Sequence, residues 1–228
     1  MAVNCKIIKD FNRPHRELVE LFRGMSTANI DDTMERMAAI ASEIVPIGKG
    51  QLLGTAFTIR MPAGDNLMLH AAMDIAKPGD VLVIDAGGYE NRAIFGELMA
   101  TYCRSRGICG IVCDGAVRDR AQLSALENFP VYARATSPNG PYKNGPGEIN
   151  VPISIGGVWV SPGDIVVGDS DGVLILHPQD AEQIAAATRQ VAEKEKLILD
   201  GILEKGRYER PWVDETLQRM KCEMVNFA

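Results

Sequence analysis

The sequence predicts a soluble α/β protein, because short apolar runs typical of strands alternate with amphipathic stretches typical of helices. Its 228 residues, 46% of them apolar, can bury one sizeable core, so we expect a single domain over residues 1–228. The net charge of −6 argues against nucleic acid or anionic lipid as a partner. With no signal-peptide pattern, no membrane-length apolar run and no CxxC pair among its cysteines, the chain is expected to be cytoplasmic.

The first part of the chain predicts two helices. HRELVELFRG, residues 15–24, carries its leucines and phenylalanine on one stripe and ends at a glycine. Ser26 and Thr27 are suitable caps for a second helix, whose apolar spacing continues to about Ala41. After Gly54 the alternation in TAFTIRM predicts a strand that ends in a turn.

Two later segments resemble each other, PGDVLVIDAGG from Pro78 and PGDIVVGDSDG from Pro162. Each combines a Pro-Gly-Asp turn with a short apolar run that predicts a buried strand. The match is either an internal repeat or a pair of similar turn–strand units. The second interpretation is favoured, because Pro and Gly punctuate strands in many folds.

Strand and helix alternate between and after these segments. RAIFGELMATYCRSRG predicts a helix, ICGIVCD a strand, RAQLSALE a short helix and PVYARA a strand. SPNGPYKNGPGE predicts an irregular loop, more typical of a surface connection than of a functional lid. A long helix is predicted from about Gln179 to Ile202, and residues 206–228 form an amphipathic extension that we expect to pack on a neighbouring subunit.

The first candidate site lies in CDGAVRDR, where a predicted strand passes through a glycine turn into a helix. Ligands of open α/β sheets bind at the carboxyl ends of strands, so Asp114, Arg118 and Asp119 occupy a favoured location. The alternative is structural: Asp119 caps the following helix and Arg118 is a solvated turn residue.

The second candidate site is IFGELMAT, residues 94–101. A helix that begins near Gly96 would offer unpaired amides to a substrate carboxylate, and a glycine lets a ligand approach the backbone closely. Glu97 could belong to the outer shell of a metal, although an acid in the first turn of a helix is also stabilised by the helix dipole alone.

The third candidate is Glu195 in the long C-terminal helix. It falls between Val191 and Ile198 on the stripe that helical periodicity predicts to be buried. An acid at such a position is either an acid or base of a site formed with another subunit, or half of an interfacial salt bridge.

Several other chemistries are disfavoured. The three histidines are isolated, so a zinc site of the HxH kind is absent from the sequence. Ser170 lies in GDSDG, but the apolar run after it predicts a strand where a nucleophile elbow needs a helix. No P-loop or GxGxxG pattern occurs. Carboxylates, an arginine and backbone amides instead suit a hard cation such as Mg²⁺ or Mn²⁺.

These residues resemble a known family. Glu97, the twenty positions 98–117, and then Arg118 and Asp119 resemble the acid-x20-Arg-Asp signature of class II pyruvate aldolases that cleave 4-hydroxy-4-methyl-2-oxoglutarate and 4-carboxy-4-hydroxy-2-oxoadipate. The neighbouring PGDVLVID and GDSDGVLILHP segments are similar to the same superfamily, which includes the regulator of ribonuclease activity A. The similarity spans roughly residues 25–205.

The resemblance implies a compact α/β/β/α sandwich akin to the phosphohistidine swivelling domain, assembled as homotrimers or homohexamers with active sites between subunits. It implies metal-dependent retro-aldol cleavage of a 4-hydroxy-2-oxo diacid that releases pyruvate, with oxaloacetate decarboxylation as a second activity. A non-catalytic ribonuclease-regulator-like binding protein is the alternative, because that regulator shares much of the fold.

The resemblance also implies roles for individual residues. Asp119 would bind the metal, and Arg118 would contact the oxo or hydroxyl oxygen of the substrate. Glu97 stands where the family often has Asp, which leaves direct or water-mediated metal contact open. The family's partner-subunit glutamate corresponds only loosely to Glu195. The backbone amides that would receive the pyruvyl carboxylate are those of Gly96, Glu97, Leu98 and Met99.

Overall fold

The computed structural model describes residues 3–225, which form a mixed α/β fold and confirm the predicted class. Within those residues the strands β1 to β11 are Cys5–Ile7, Val45–Pro46, Leu52–Arg60, Asp80–Phe95, Gly110–Val117, Val131–Thr136, Gly147–Ile149, Ile153–Ile155, Val158–Val160, Ile165–Gly168 and Val173–Leu176. The helices α1 to α7 are Arg16–Glu20, Thr27–Thr33, Leu67–Ile75, Glu97–Ser105, Arg120–Ala125, Ala181–Lys205 and Pro211–Arg219.

The chain divides into two compact units, the first ending at Thr188 and the second beginning at Arg189, inside α6. The described part of the predicted C-terminal extension, residues 206–225, belongs to the second unit. None of the helices found in residues 3–225 combines the length and the apolar character that crossing a membrane requires.

The first unit is built around a nine-stranded sheet in which β3, β4, β5 and β6 lie side by side and run parallel. The hairpin of β10 and β11 extends the sheet by antiparallel pairing of β10 with β3. The central strands are buried on both faces, which explains why their sequences are nearly continuous apolar runs. Their carboxyl ends lead into α3, α4 and α5.

Side chains on the two faces of the central strands belong to different parts of the core. Leu82 and Ile111 pack in the cluster that includes the buried residues of α3, α4 and α5. Val81 and Val112 pack instead with residues of the β8–β9 hairpin. This alternation follows from the two-residue repeat of a strand, and each fully buried aliphatic side chain stabilises the fold by about 1.5–3 kcal/mol.

Two predicted helix boundaries are wrong. The second helix ends at Thr33 instead of Ala41, because Glu35 and Arg36 adopt φ values of 55° and 60°, which a right-handed helix excludes. The residues RAIF do not begin a helix, since β4 continues through them to Phe95 and α4 begins at Glu97.

The two Pro-Gly-Asp segments occupy different places in the sheet, as expected of two similar turn–strand units. The first leads into the central parallel strand β4, and the second into the antiparallel strand β10. Their likeness is local: Asp80 accepts a hydrogen bond from the Lys77 amide at 2.8 Å, and Asp164 accepts one from the Ser161 amide at 2.7 Å.

The long C-terminal helix is present as α6, after a short 3-10 turn at Pro178–Asp180. Its buried residues all lie in the part that belongs to the first unit: Ala181, Ile184, Ala185 and Thr188. The predicted burial of this face is therefore confirmed at Ile184, whereas Ile198 is 37% exposed within the single chain.

Candidate active site

Two adjacent strand ends bring the first and second candidate sites together. Phe95, the last residue of β4, pairs with Val117, the last residue of β5. The Arg118 amide then donates to the Phe95 carbonyl at 2.9 Å, so the chain leaves both strands at the same level of the sheet. As a result Gly96 and the start of α4 lie beside Arg118 and Asp119.

Asp119 is held in an unusual conformation. Its φ of 57° lies in the left-handed region, which costs a non-glycine residue on the order of 1 kcal/mol. Its side chain makes no capping bond to α5; Oδ2 accepts a hydrogen bond from the Glu97 amide at 3.0 Å and lies 3.7 Å from Arg118 Nε. A purely capping role for this carboxylate is therefore wrong, and its orientation is set by α4.

Position 96 has no room for a side chain, so a glycine is required there. Its φ of −162° is ordinary extended backbone. A Cβ atom placed on it would lie 2.5 Å from Asp119 Oδ2 and 2.9 Å from Arg118 Cγ. A side chain at position 96 would displace the Asp119 carboxylate and the Arg118 side chain, so the glycine permits the Arg118–Asp119 arrangement.

A cleft of about 300 Å³ opens at this point. Arg118 and Asp119 line it, with side chains 48% and 38% exposed, so both can reach a ligand. Leu98 and Met99 of α4 also line it, as do residues of α3, the end of β4 and the loop after β6: Asn66, His70, Ala93, Ile94, Phe95, Gly96, Gly140, Pro141 and Lys143.

The loop after β6, predicted as a surface connection, forms part of the cleft because a buried carboxylate fixes it. Asp65 is 4% exposed and accepts hydrogen bonds from the amides of Leu67, Asn144 and Gly145 at 2.9, 2.6 and 3.1 Å. Sequence reasoning missed Asp65. The Asp-Asn pair before LMLHAAMDI is a helix-start signal that could have indicated α3, but its contact with the loop could not be read from it.

Two ionisable residues near the cleft, His70 and Asp114, have different environments. Burial first, and then the positive charge of Lys143, lower the pKa of His70 below its usual range, while Asp74 opposes this shift. His70 is therefore neutral near pH 7. Asp114 is buried, forms an ion pair with Arg134 at 2.5 Å from its Nε, and is not among the residues that line the cleft.

The donor set suits a hard cation with few protein ligands. Asp119 is the one carboxylate among the described residues that line the cleft. Residues 3–225 contain no group of three or more His, Cys, Asp or Glu side chains suited to a metal, which disfavours a closed zinc site. Mg²⁺ and Mn²⁺ instead accept one or two carboxylates and complete their shell with water and substrate oxygens. Asp119 fits that requirement.

Three other predicted residues have different outcomes. Glu97 begins α4 with an exposed side chain that is not among those lining the cleft, so its role as a second metal ligand stays a prediction. Glu195 is exposed on α6 in the second unit, and its role as a partner-subunit acid also stays a prediction. Ser170 is followed by strand β11, which confirms that no nucleophile elbow is present there.

Comparison with known proteins identifies relatives of the chain. The RraA-like family model, described as Aldolase/RraA, matches residues 27–175. A protein of Halalkalibacterium halodurans with the provisional name 4-hydroxy-4-methyl-2-oxoglutarate aldolase is 39% identical over 82% of this chain and 91% of its own length.

Solved structures of ribonuclease regulators are also similar. The RNA-processing inhibitor RraA from Thermus thermophilis is 30% identical and matches with a TM-score of 0.61 over 66% of this chain and 92% of that one. Streptomyces coelicolor RraAS2, described as an unusual member of the RNase ES inhibitor RraA family, is 27% identical and matches with a TM-score of 0.72 over 81% of this chain and 98% of that one.

Proposed function

Since the chain belongs to the RraA-like (Aldolase/RraA) family, we propose that it is a lyase that cleaves a 4-hydroxy-2-oxo diacid and releases pyruvate, with the help of Mg²⁺ or Mn²⁺. The observation that carries this proposal is the Arg118–Asp119 pair, which lies in an open cleft directly beside the first turn of α4. The provisional aldolase name of the 39% identical relative supports the same reaction.

The residues of the chain would bind the pyruvyl part of the substrate. The first amides of a helix have no partner within the helix, so those of Leu98 and Met99 are suited to the 1-carboxylate. The Glu97 amide already donates a hydrogen bond to the Asp119 carboxylate. We therefore leave it out of the amides, Gly96 to Met99, that the resemblance implies for binding the pyruvyl carboxylate. Arg118 would donate to the 2-oxo oxygen and stabilise the negative charge that develops there.

The retro-aldol reaction moves one proton and one bonding electron pair. A base takes the proton of the C4 hydroxyl, a C4 carbonyl forms, and the C3–C4 bond breaks. The electron pair passes to C3 and the 2-oxo group, and protonation at C3 completes pyruvate. We propose Glu195 of the partner subunit as the group that carries the proton, within a homotrimer or homohexamer that has sites between subunits.

Asp119 would hold the metal, with Glu97 as a direct or water-mediated second ligand. A bound Mg²⁺ or Mn²⁺ supplies Lewis-acid polarisation of the 2-oxo oxygen. Arg118 and the α4 amides orient the substrate so that this oxygen faces Asp119. The left-handed backbone of Asp119 and its bond to the Glu97 amide keep the carboxylate in place before substrate arrives.

Oxaloacetate decarboxylation is proposed as a second activity. When oxaloacetate loses CO₂, the same electron pair passes to C3 and the 2-oxo group, so the same residues would stabilise it. Only the departing fragment differs.

A non-catalytic role is the second candidate, because solved RraA proteins described as inhibitors of RNA processing share this fold. Such a protein would bind a ribonuclease without turnover. The Arg118–Asp119 pair in an open cleft favours the lyase.

The deciding experiment couples pyruvate release to a dehydrogenase with 4-hydroxy-4-methyl-2-oxoglutarate or oxaloacetate as substrate. We expect turnover with Mg²⁺ or Mn²⁺, loss with EDTA, and a decrease of at least about 100-fold in Asp119→Ala, because the cation that would stabilise the developing negative charge loses its carboxylate ligand. Asp171→Ala, a change of an exposed aspartate outside the cleft, should retain activity. Absence of turnover with every metal would favour the binding protein, and an unaffected Asp119→Ala enzyme would contradict the metal site.

A further inference from the structure

The cleft contains polar groups that the pyruvyl unit does not use. Asn66, His70 and Lys143 line it together with Arg118 and Asp119. Asn66 is the residue before α3, His70 lies one turn into that helix, and Lys143 belongs to the loop after β6. These residues come from a different part of the chain than the Gly96–Met99 and Arg118–Asp119 segments.

The backbone on both sides of Lys143 is fixed to the start of α3. Tyr142 donates to the Gly64 carbonyl at 2.8 Å and accepts from the Asn66 amide at 3.0 Å. On the other side the Asn144 amide donates to the buried Asp65 carboxylate at 2.6 Å. Lys143 is therefore carried by an anchored segment, which limits the cost of ordering it around a ligand.

Lys143 brings a positive charge that is available to a ligand. It is exposed and forms no salt bridge with any carboxylate in the described part of the chain, residues 3–225. Its charge reaches His70, whose pKa it helps to lower. A neutral His70 can still donate one hydrogen bond, so the two residues together suit an anionic oxygen acceptor.

Asn66 is an independent sign that this wall of the cleft receives a polar ligand. The residue is 3% exposed, and its Nδ2 donates to the Ile94 carbonyl at 3.0 Å. Its Oδ1 is buried and has no hydrogen-bond partner among the described residues. An unpaired buried acceptor costs about 1–3 kcal/mol, so a donor from a ligand or a water molecule is expected beside it.

We propose that Lys143 and His70 form a second subsite that binds the distal carboxylate of the substrate, so that the cleft selects 2-oxo diacids over 2-oxo monoacids. This inference rests on the proposed function, which places the pyruvyl unit at Arg118 and Asp119. Lys143 and His70 would thus bind the part of the substrate beyond the pyruvyl unit, for which the aldolase signature assigns no residues.

The test uses two ligands that differ only in the distal group. 2-Oxoglutarate and 2-oxopentanoate share the 1-carboxylate and the 2-oxo group, and neither carries the C4 hydroxyl that cleavage requires. Titration calorimetry with saturating Mg²⁺ should show that the wild-type protein binds 2-oxoglutarate at least about 10-fold more tightly, the effect of one charged hydrogen bond. Lys143→Met should abolish this difference and leave the Kd for 2-oxopentanoate unchanged.

Two further variants sharpen the result. Lys143→Arg keeps the positive charge and should preserve the preference for the diacid. Lys49→Met removes an exposed lysine outside the cleft and should bind both ligands as the wild-type protein does. Equal affinity of the wild-type protein for the two ligands, binding of neither, or an equal loss for both in Lys143→Met would overturn the subsite.

Failure of the subsite and failure of the proposed function are separable. Release of pyruvate together with equal ligand affinities would remove the subsite and keep the lyase. A diacid preference that depends on Lys143, without pyruvate release from any substrate, would remove the lyase and keep the subsite as a site for binding diacids.

Discussion

At the scale of single residues, the site depends on two unusual backbone positions. One has no room for a side chain, and the other adopts a conformation that non-glycine residues rarely adopt. Gly96 leaves room for the Asp119 carboxylate and the Arg118 side chain, and Asp119 adopts a left-handed conformation. Strain of this kind persists only where the surrounding structure fixes it. Here the Glu97 amide and the paired ends of β4 and β5 provide that support.

Gly96→Ala is expected to reduce pyruvate release by about 100-fold, because a displacement near 1 Å of reacting groups has effects of that size. The new methyl group would lie 2.5 Å from Asp119 Oδ2 and must displace it. Stability should fall by only about 1–3 kcal/mol, the usual cost of overpacking. Steady-state kinetics and urea unfolding measure the two effects.

Gly201→Ala is the matched control for this substitution. Gly201 lies in α6, and nothing lies within 4 Å of a Cβ placed on it. Alanine is the better helix former, so this variant should gain up to about 1 kcal/mol and keep its activity. A Gly96→Ala enzyme with wild-type kinetics would show that the close approach does not matter for turnover.

At the scale of elements, the sequence predicts the parts whose signals are local. The central strands and α6 follow from apolar runs and helical periodicity. The full length of β4 does not, because this strand of 16 residues contains register shifts between Asp85 and Phe95, around glycines that indicate a turn. The role of the loop after β6 is also not local, since Asp65 binds amides at positions 144 and 145.

The same distinction applies to the candidate site. Glu97, Arg118 and Asp119 could be predicted together because the aldolase signature fixes their spacing, and the structure places the Glu97 amide against the Asp119 carboxylate. The polar wall of Asn66, His70 and Lys143 could not, because it depends on how a loop folds onto the start of a helix. Contacts of this kind carry no periodic signal.

Asp65→Ala tests whether that carboxylate holds the loop. Three backbone amides would lose their acceptor, so the free energy of unfolding should fall by about 1–3 kcal/mol. Hydrogen exchange should increase first at Asn144 and Gly145. Asp65→Asn keeps an acceptor oxygen and should lose less, whereas Asp171→Ala should unfold as the wild-type protein does. Unchanged exchange at Asn144 and Gly145 in Asp65→Ala would show that other contacts fix the loop.

At the scale of the whole molecule, the second unit carries apolar side chains that the single chain leaves in water. Leu199 is 54% exposed and Leu203 75% exposed, one turn apart on α6, and Trp212 of α7 is 61% exposed. Contiguous exposed apolar groups are typical of surfaces that contact another protein. This pattern supports the proposed homotrimer or homohexamer, in which Glu195 of one subunit would serve the cleft of another.

Complementation between two inactive variants tests this shared site. Asp119→Ala and Glu195→Ala should each lose most pyruvate release when they are purified alone. Co-expressed with different affinity tags and purified through both, they should form mixed oligomers in which some clefts combine an intact Asp119 with an intact partner Glu195. Activity should then return, and light scattering should report the mass of a trimer or hexamer for every sample. A mixed oligomer that stays inactive would place Asp119 and Glu195 in the same subunit's site. A Glu195→Ala enzyme that keeps its activity when purified alone would remove Glu195 from the reaction, and a monomeric mass would exclude sites between subunits.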